Sequence, residues 1–214
     1  MIKRTVPQKT ISKESKLSGV GLHTGEHVNI TFKPAPADTG LVFVREDIDG
    51  DNQINAHIKY ISNTDRGTNL DNGSFRIHTS EHVLAAITGL EIDNCYICLD
   101  GAEVPIMDGS SKFFINALEE AKIVEQNVLR EEFFASEPIT YECEDSGSKI
   151  SILPDDNYKV NTIVDYKTKV LGEQEASINH ISEFKEEISS ARTFSFLHEL
   201  ETLLENGLIK GGDL

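Results

Sequence analysis

The order in which hydrophobic periodicities follow one another constrains the fold of this chain more than any other feature. Near the N-terminus, HVNITFKP alternates Val28, Ile30 and Phe32 with polar neighbours, which is typical of a strand with one buried face. Four further patterns follow in the first half: a strand in GLVFVRED, a helix in TSEHVLAAITGL, a strand in DNCYICLD and a helix in SSKFFINALEEAKI. Strands and helices in this order predict an α+β unit in which a sheet packs on helices.

The second half repeats part of this order. Strand patterns occur in PITYEC, SKISILP and YKVNTIVDY, and a helix pattern follows in FSFLHELETLLENG. In both halves a threonine precedes the helix pattern, Thr79 in the first and Thr193 in the second. We therefore predict two similar α+β domains, residues 1–127 and residues 128–214, of which the second is incomplete.

The composition argues against several classes of protein. Asp and Glu number 36 against 20 Lys and Arg, which gives a formal net charge of -16. Proteins that bind nucleic acids or anionic membrane surfaces generally present basic faces. No apolar run approaches the ~20 residues that span a bilayer, and the 3 cysteines fit a reducing compartment. We expect a globular cytoplasmic protein with no nucleic-acid partner and no stable membrane insertion.

Cys95 and Cys98 form a C-x-x-C pattern inside the strand pattern DNCYICLD. Positions i and i+3 of a strand point to opposite faces, so the two sulfur atoms could not share a metal ion. We interpret them as ordinary buried thiols.

The stretch GVGLHTG, residues 19–25, comes close to the glycine pattern of dinucleotide-binding proteins. That motif must open a helix, whereas a strand pattern follows here. The glycines instead predict a tight turn between two strands, with His23 at its tip.

The run HTSEH, residues 78–82, satisfies the H-x-x-E-H pattern of a class of zinc metallopeptidases. Thr79 is a good N-cap candidate, and a cap there excludes His78 from the helix. Glu81 and His82 then lie side by side at a helix N-terminus, where the dipole favours a carboxylate and an uncharged imidazole. Glu81 and His82 also fit the solvated first turn of a helix with no catalytic role. A single imidazole does not make a zinc site, which needs about three protein ligands.

Taken together, the chain resembles the zinc-dependent UDP-3-O-acyl-N-acetylglucosamine deacetylases of lipid A biosynthesis. The matching stretches are SGVGLHTGEHVNITFKPAPADTG, RIHTSEHVLAAITGLEIDN, EVPIMDGSS and ARTFSFLHELE. The resemblance implies two similar α+β domains with the active site between them. It also implies hydrolysis of the N-acetyl group of an acylated UDP-glucosamine in the cytoplasm of Gram-negative bacteria.

The family's T-x-E-H motif falls on Thr79, Glu81 and His82. By this match Glu81 is the general base and His82 is a ligand of the zinc ion. Thr193, in A-R-T-F, matches the threonine that hydrogen-bonds the developing oxyanion.

Six further positions match substrate-binding residues of the family. They are Leu22 and His23 near the bound substrate, Phe194 at the start of the acyl-chain passage, Lys149 at the diphosphate, and Asp165 with Tyr166 at the uracil. Without the resemblance, Lys149, Asp165 and Tyr166 can also be interpreted as ordinary residues at strand ends.

The chain departs from the family pattern in one large respect. The family takes its other two zinc ligands from a later His-Lys-x-x-Asp motif and its general acid from a histidine downstream, and neither motif occurs before Leu214. We therefore expect a C-terminally truncated member that is inactive by itself. Some relatives are fused to an acyl dehydratase domain, so such a domain is a possible neighbour.

Two alternatives remain at this stage. A non-catalytic remnant would bind the UDP-sugar or a partner protein without turnover. A metallopeptidase would depend equally on His78 and His82.

Overall fold

The computed structural model describes residues 2–64, 66–197 and 210–211. The helices are Glu81–Gly89 (α1) and Lys112–Glu120 (α2), with short 3-10 or π-helical segments at Ile58–Tyr60, Ile181–Glu183 and Phe184–Ile188. The strands are Ile2–Lys3 (β1), Pro7–Ile11 (β2), Ser15–Val20 (β3), His27–Pro34 (β4), Leu41–Arg45 (β5), Gln53–Asn55 (β6), Ile61–Asn63 (β7), Asn69–Asp71 (β8), Arg76–Ile77 (β9), Cys95–Leu99 (β10), Ile123–Leu129 (β11), Glu132–Phe133 (β12), Ile139–Glu142 (β13), Lys149–Ile152 (β14), Val160–Asp165 (β15) and Glu173–Ile178 (β16).

A five-stranded sheet in the order β3-β4-β10-β5-β6 forms the centre of the first half. All of its neighbours pair antiparallel except β10 and β5, which run parallel. Val28, Ile30 and Phe32 of β4 are buried while His27 and Asn29 are exposed, so the predicted alternation is confirmed except at Thr31, which is also buried.

The two helices pack against this sheet and against each other. The ring of Phe32 on β4 meets the ring of Phe114 on α2 edge to face, with centroids 6.5 Å apart. Val83 and Ile87 of α1 join the same core and are fully buried. Each such aliphatic side chain contributes about 1.5–3 kcal/mol through burial. The four strand and helix predictions that follow β4 in the first half are also confirmed.

The described part of the second half consists mainly of two antiparallel hairpins, β13–β14 and β15–β16. Every residue of β13, β14 and β15 is exposed, so these strands do not pack on any helix in the described part of the chain. The whole is a strand-rich mixed structure compatible with α+β, but two similar domains are not confirmed.

The predicted boundary between residues 127 and 128 stays a prediction. It falls within β11, which pairs with β2. The three strand patterns of the second half are confirmed, whereas the helix predicted in FSFLHELETLLENG falls largely outside the described residues.

Phe184 connects the second half to α1 at one glycine. Its ring lies so close to Gly89 that a Cβ atom on this glycine would overlap the ring. The absence of a side chain at Gly89 therefore allows the π-helical segment to pack directly on α1. Ser189, at the end of this segment, is buried.

None of the helices in the described part of the chain is long and apolar enough to cross a membrane.

Candidate functional site

The stretch from Gly21 to Gly25 is the turn that joins β3 to β4, as the sequence predicts. The N–H of Gly21 donates to the carbonyl of Glu26 over 2.9 Å, and the N–H of Gly25 donates to the carbonyl of Gly21 over 3.0 Å. Gly25 has a φ of 70°, a left-handed conformation that glycine adopts without strain. Leu22 and His23 at the tip are half-buried.

The carboxylate of Glu103 lies beneath this turn and is fully buried. It accepts hydrogen bonds from the backbone N–H of His23 at 3.0 Å, the backbone N–H of Thr24 at 2.8 Å and the hydroxyl of Thr79 at 2.9 Å. Burial by itself would raise the pKa of Glu103, but these donors outweigh it and hold the pKa below its usual range. The carboxylate is therefore ionised and fully hydrogen-bonded.

The start of α1 differs from the prediction that Thr79 is its N-cap. Ser80 occupies the cap position, and the first helical residue is Glu81. Thr79 has a φ of 58°, and its hydroxyl donates to Glu103 instead of capping the helix. The prediction was wrong because a buried acceptor elsewhere in the chain bonds the threonine hydroxyl.

Glu81 and His82 are adjacent at the N-terminus of α1. Oε1 of Glu81 lies 3.8 Å from Nε2 of His82, and Oε2 accepts the N–H of Thr68 over 2.8 Å. The hydroxyl of Ser80 donates to the carbonyl of Thr68 over 2.8 Å. Thr68 therefore bonds both Ser80 and Glu81, the last residue before the helix and its first residue. One carboxylate oxygen is thus fixed by the backbone while the other faces the imidazole.

His78 lies outside α1, as predicted. It pairs with residues 102–104 through a bridge, donating its N–H to Ala102 over 2.9 Å and accepting the N–H of Val104 over 3.0 Å. Burial lowers the pKa of its imidazole, although the charge of Glu103 opposes this effect. His78 and His82 therefore do not form an i, i+4 pair on one helix.

Residues 109–111 connect this helix to the segment that carries Thr193. The hydroxyl of Ser111 donates to the carbonyl of His82 over 3.0 Å, and the N–H of Thr193 donates to the carbonyl of Gly109 over 2.8 Å. The N–H of Ser111 also donates to the carbonyl of Ser189 over 3.0 Å. The Thr193 backbone is thus attached to the same loop as the backbone of His82.

The turn at Leu22 receives residues from much later in the chain. The N–H groups of Lys210 and Gly211 donate to the carbonyl of Leu22 over 3.0 and 3.1 Å. Gly211 lies against Gly21 so closely that a Cβ atom would overlap the carbonyl oxygen of Gly21. Lys210 and Gly211 therefore pack directly on this turn.

The residues matched to the nucleotide and the acyl chain lie in the second half. Tyr166 contacts Phe194 with ring centroids 5.5 Å apart, and Phe196 completes a three-ring cluster. Asp165 accepts the N–H of Lys167 over 2.8 Å at the exposed end of β15. Lys149 is paired with Glu142 in the β13–β14 hairpin. Neither of these contacts brings Lys149 or Asp165 to Glu81.

A metal ion would need more donors than the described residues bring together. Within residues 2–64, 66–197 and 210–211, no group of three His, Cys, Asp or Glu side chains is placed to hold one. Burial raises the pKa of the Cys95 thiol to about 12 and that of the Cys98 thiol to about 11, so both stay protonated. His82 is a suitable first ligand, but by itself it does not fit a zinc site.

Sequence reasoning assigned no role to Glu103 or Ser111, although both fall in the stretch EVPIMDGSS. One signal could have identified Glu103, since it is an acid enclosed by Ala102 and Val104 in an apolar run. A carboxylate in such a run is rarely buried without a partner. Ser111 carries no comparable signal, because its acceptor is a backbone carbonyl.

Comparisons with known proteins agree on one family. The family model described as UDP-3-O-acyl N-acetylglycosamine deacetylase matches residues 8–214. A bifunctional enzyme LpxC/FabZ of Chlorobaculum tepidum is 43% identical over 210 residues, which are 98% of this chain and 45% of that protein. A UDP-3-O-acyl-N-acetylglucosamine deacetylase of Bdellovibrio bacteriovorus is 37% identical over 97% of this chain and 68% of its own length. A protein of the same name from Saccharophagus degradans is 39% identical over 98% of this chain and 69% of its own length. The chain thus spans less than half of the bifunctional relative.

Proposed function

The chain belongs to the UDP-3-O-acyl N-acetylglycosamine deacetylase family, and from this premise we propose that it carries part of the active site of an amide hydrolase. The substrate is a UDP-3-O-(3-hydroxyacyl)-N-acetylglucosamine, and the reaction removes its N-acetyl group in lipid A biosynthesis. We propose the cytoplasm as the compartment, since this substrate is a nucleotide sugar. The relatives named deacetylase support the reaction.

The observation that carries the proposal is the geometry of Glu81. Its Oε2 is held by the N–H of Thr68, and its Oε1 faces the imidazole of His82 at 3.8 Å. A water molecule beside this pair, hydrogen-bonded to Oε1, could transfer a proton to Oε1 as it attacks the acetamide carbonyl. Glu81 is then the general base.

Thr193 is proposed to donate its hydroxyl to the oxygen on which charge develops. Its backbone is held by Gly109, and Ser111 in the same loop holds the carbonyl of His82. A donor on a backbone that is held before the reaction needs less reorganisation when the charge appears.

Zinc is the proposed cofactor, with His82 as one ligand. A bound zinc ion would polarise the acetamide carbonyl and make a bound water more acidic. The described residues contribute one imidazole and not the three protein ligands typical of such sites, so we derive no step through the metal. Further ligands have to come from residues beyond those described.

Substrate binding is assigned to two regions. Leu22 and His23 on the β3–β4 turn are proposed to contact the substrate near the reacting group. Tyr166 and Asp165 are proposed to hold the uracil and Lys149 the diphosphate, while Phe194 begins the wall of the acyl-chain passage. The contact between Tyr166 and Phe194 supports a shared aromatic surface for the nucleotide and the acyl chain.

The bifunctional relative of Chlorobaculum tepidum supports a further proposal, that the natural protein carries a second activity of the acyl dehydratase kind. The chain would then be one part of a longer enzyme.

The test measures acetate release from an acylated UDP-N-acetylglucosamine by the full-length protein, with and without added zinc. Zinc-dependent release that is lost in Glu81→Gln is the expected result. Saturable binding of the UDP-sugar without release would instead identify a non-catalytic binding protein. Cleavage of peptides that depends equally on His78 and His82 would identify a metallopeptidase.

A further inference from the structure

Glu103 is a fully buried acid that neither the base nor the ligand assignment uses. It lies 80 residues from His23 and 24 residues from Thr79 along the chain, yet its side chain bonds both. A buried carboxylate without adequate partners costs several kcal/mol, so the hydrogen bonds from His23, Thr24 and Thr79 explain how it is tolerated. They do not explain why these particular segments converge on it.

One carboxylate holds two segments that carry proposed site residues. Oε1 accepts the hydroxyl of Thr79 at 2.9 Å and the N–H of His23 at 3.0 Å, while Oε2 accepts the N–H of Thr24 at 2.8 Å. The first of these segments leads directly into Glu81 and His82, and the other two donors form the tip of the β3–β4 turn. A single side chain therefore joins the turn directly to the residue that precedes the helix start.

The backbone at Thr79 shows that this link is under strain. Its φ of 58° lies in the left-handed region, which costs a non-glycine residue about 1–2 kcal/mol. The hydroxyl bond to Glu103 and a 3.3 Å bond from its N–H to Asn69 hold this conformation. A change of backbone direction at Thr79 would reorient the first residues of α1, which include the base.

The space around the carboxylate is equally restrictive on the turn side. A Cβ atom on Gly21 would overlap both the Thr24 hydroxyl and Oε2 of Glu103. The turn therefore closes tightly over the charge, and its N–H groups point inward as in an anion-binding nest.

We propose that Glu103 is a positioning residue for the deacetylation reaction, which fixes the His23 turn relative to the Glu81–His82 pair. The catalytic consequence rests on the proposed function, whereas the mechanical link between the two segments does not. Substitution of a residue that only stabilises the fold would loosen the whole sheet. Substitution of a positioning residue would loosen the turn and the helix start together and leave the rest of the sheet unaffected.

The experiment compares Glu103→Gln with Glu46→Gln in the full-length protein. Glu46 is a suitable control because it is an acid that borders the same sheet and pairs with Lys33, 2.6 Å away. Backbone amide hydrogen exchange is followed in residues 21–25, in residues 78–82 and in β10 as the internal reference. The kcat and KM for acetate release are measured in the same variants.

We expect Glu103→Gln to speed exchange in both segments on the order of tenfold, with β10 unchanged. We expect kcat/KM to fall roughly 10²-fold, since small misplacement of a base has effects of this size. The cost of His23→Ala should also shrink in the Glu103→Gln background, because the turn is already displaced. Glu46→Gln should change none of these quantities.

Thr79→Val and Thr79→Ser provide the test if Glu103→Gln does not fold. Valine removes only the hydroxyl bond to Glu103, and serine retains it, so only the first should speed exchange in both segments and lower kcat/KM. Release of one segment without the other, uniform loosening that includes β10, or coupled release with unchanged kcat/KM would each overturn the proposal. If the unaltered protein releases no acetate, the proposed function fails, and the exchange data alone decide whether Glu103 links the two segments.

Discussion

The backbone N–H of Thr68 donates to Oε2 of Glu81 over 2.8 Å and leaves Oε1 directed at the imidazole of His82. Thr68 just precedes β8, and Glu81 is the first residue of α1, so the bond joins a strand edge to a helix start. The base proposed for the reaction is therefore oriented by backbone, which no side-chain substitution at residue 68 except proline removes.

Glu81→Gln should abolish most turnover without changing the fold. The amide retains an oxygen to accept the Thr68 N–H but has no basic site for proton transfer. Since general base catalysis contributes about 10²–10⁴-fold, kcat should fall by that range. Steady-state acetate release measures the fall in kcat, and circular dichroism checks that the fold is unchanged. Glu120→Gln, on the exposed face of α2, is the control and should be silent.

His82→Ala should reduce zinc binding far more than His78→Ala does. Only His82 lies on α1 beside Glu81, whereas His78 is paired with residues 102–104 outside the helix. Zinc content after gel filtration and metal titration of the full-length protein measure the difference. Equal loss from both substitutions would contradict the assignment and favour the metallopeptidase alternative.

Gly89→Ala should destabilise the packing of the Phe184 segment on α1. The added methyl group would overlap the Phe184 ring, and overpacking of this kind costs about 1–3 kcal/mol. Chemical denaturation measures the change in the free energy of unfolding. Thr88→Ala, at an exposed position of the same helix, is the matched control.

A second substitution separates this overlap from the helix propensity of alanine. Phe184→Ala makes room for the methyl group, so Gly89→Ala should cost much less in that background. An unchanged cost would show that the contact between Gly89 and Phe184 is not the cause.

The contribution of Glu103 to stability should depend on pH. Its pKa is lowered in the folded protein, so its stabilising effect is present above the usual range of a glutamic acid and is lost as the pH falls through the lower folded pKa. Unfolding free energies of the unaltered protein and Glu103→Gln, measured from neutral to acidic pH, should converge at low pH. His78 faces Glu103 and gains charge over part of this range, so the same comparison is made in a His78→Ala background. A constant difference at all pH values would contradict an ionised Glu103.

Local patterns were sufficient for most elements of the first half. The period of two in β4 and the helical spacing around Ile87 reflect which side chains face the core, and neighbours in sequence determine that. The same local reasoning separated His78 from His82, because a strand and a helix cannot present two histidines as one helical pair. The position of the helix start was wrong by one residue, since Thr79 bonds an acceptor that local sequence does not reveal.

The family, matched over residues 8–214, could be predicted from motifs spread along the chain. The strands and helices of the first half and the adjacent Glu81–His82 pair could be predicted as well, since they depend on residues close together in the chain. Three contacts could not be predicted in this way: Glu103 joins the His23 turn to Thr79, Thr68 orients Glu81, and Phe184 packs on Gly89. These contacts link distant segments, and a hydrogen bond or a close approach leaves no periodic pattern in either partner. Their geometry is set when the sheet and helices pack, because burial then forces each polar group to find whichever partner lies beside it.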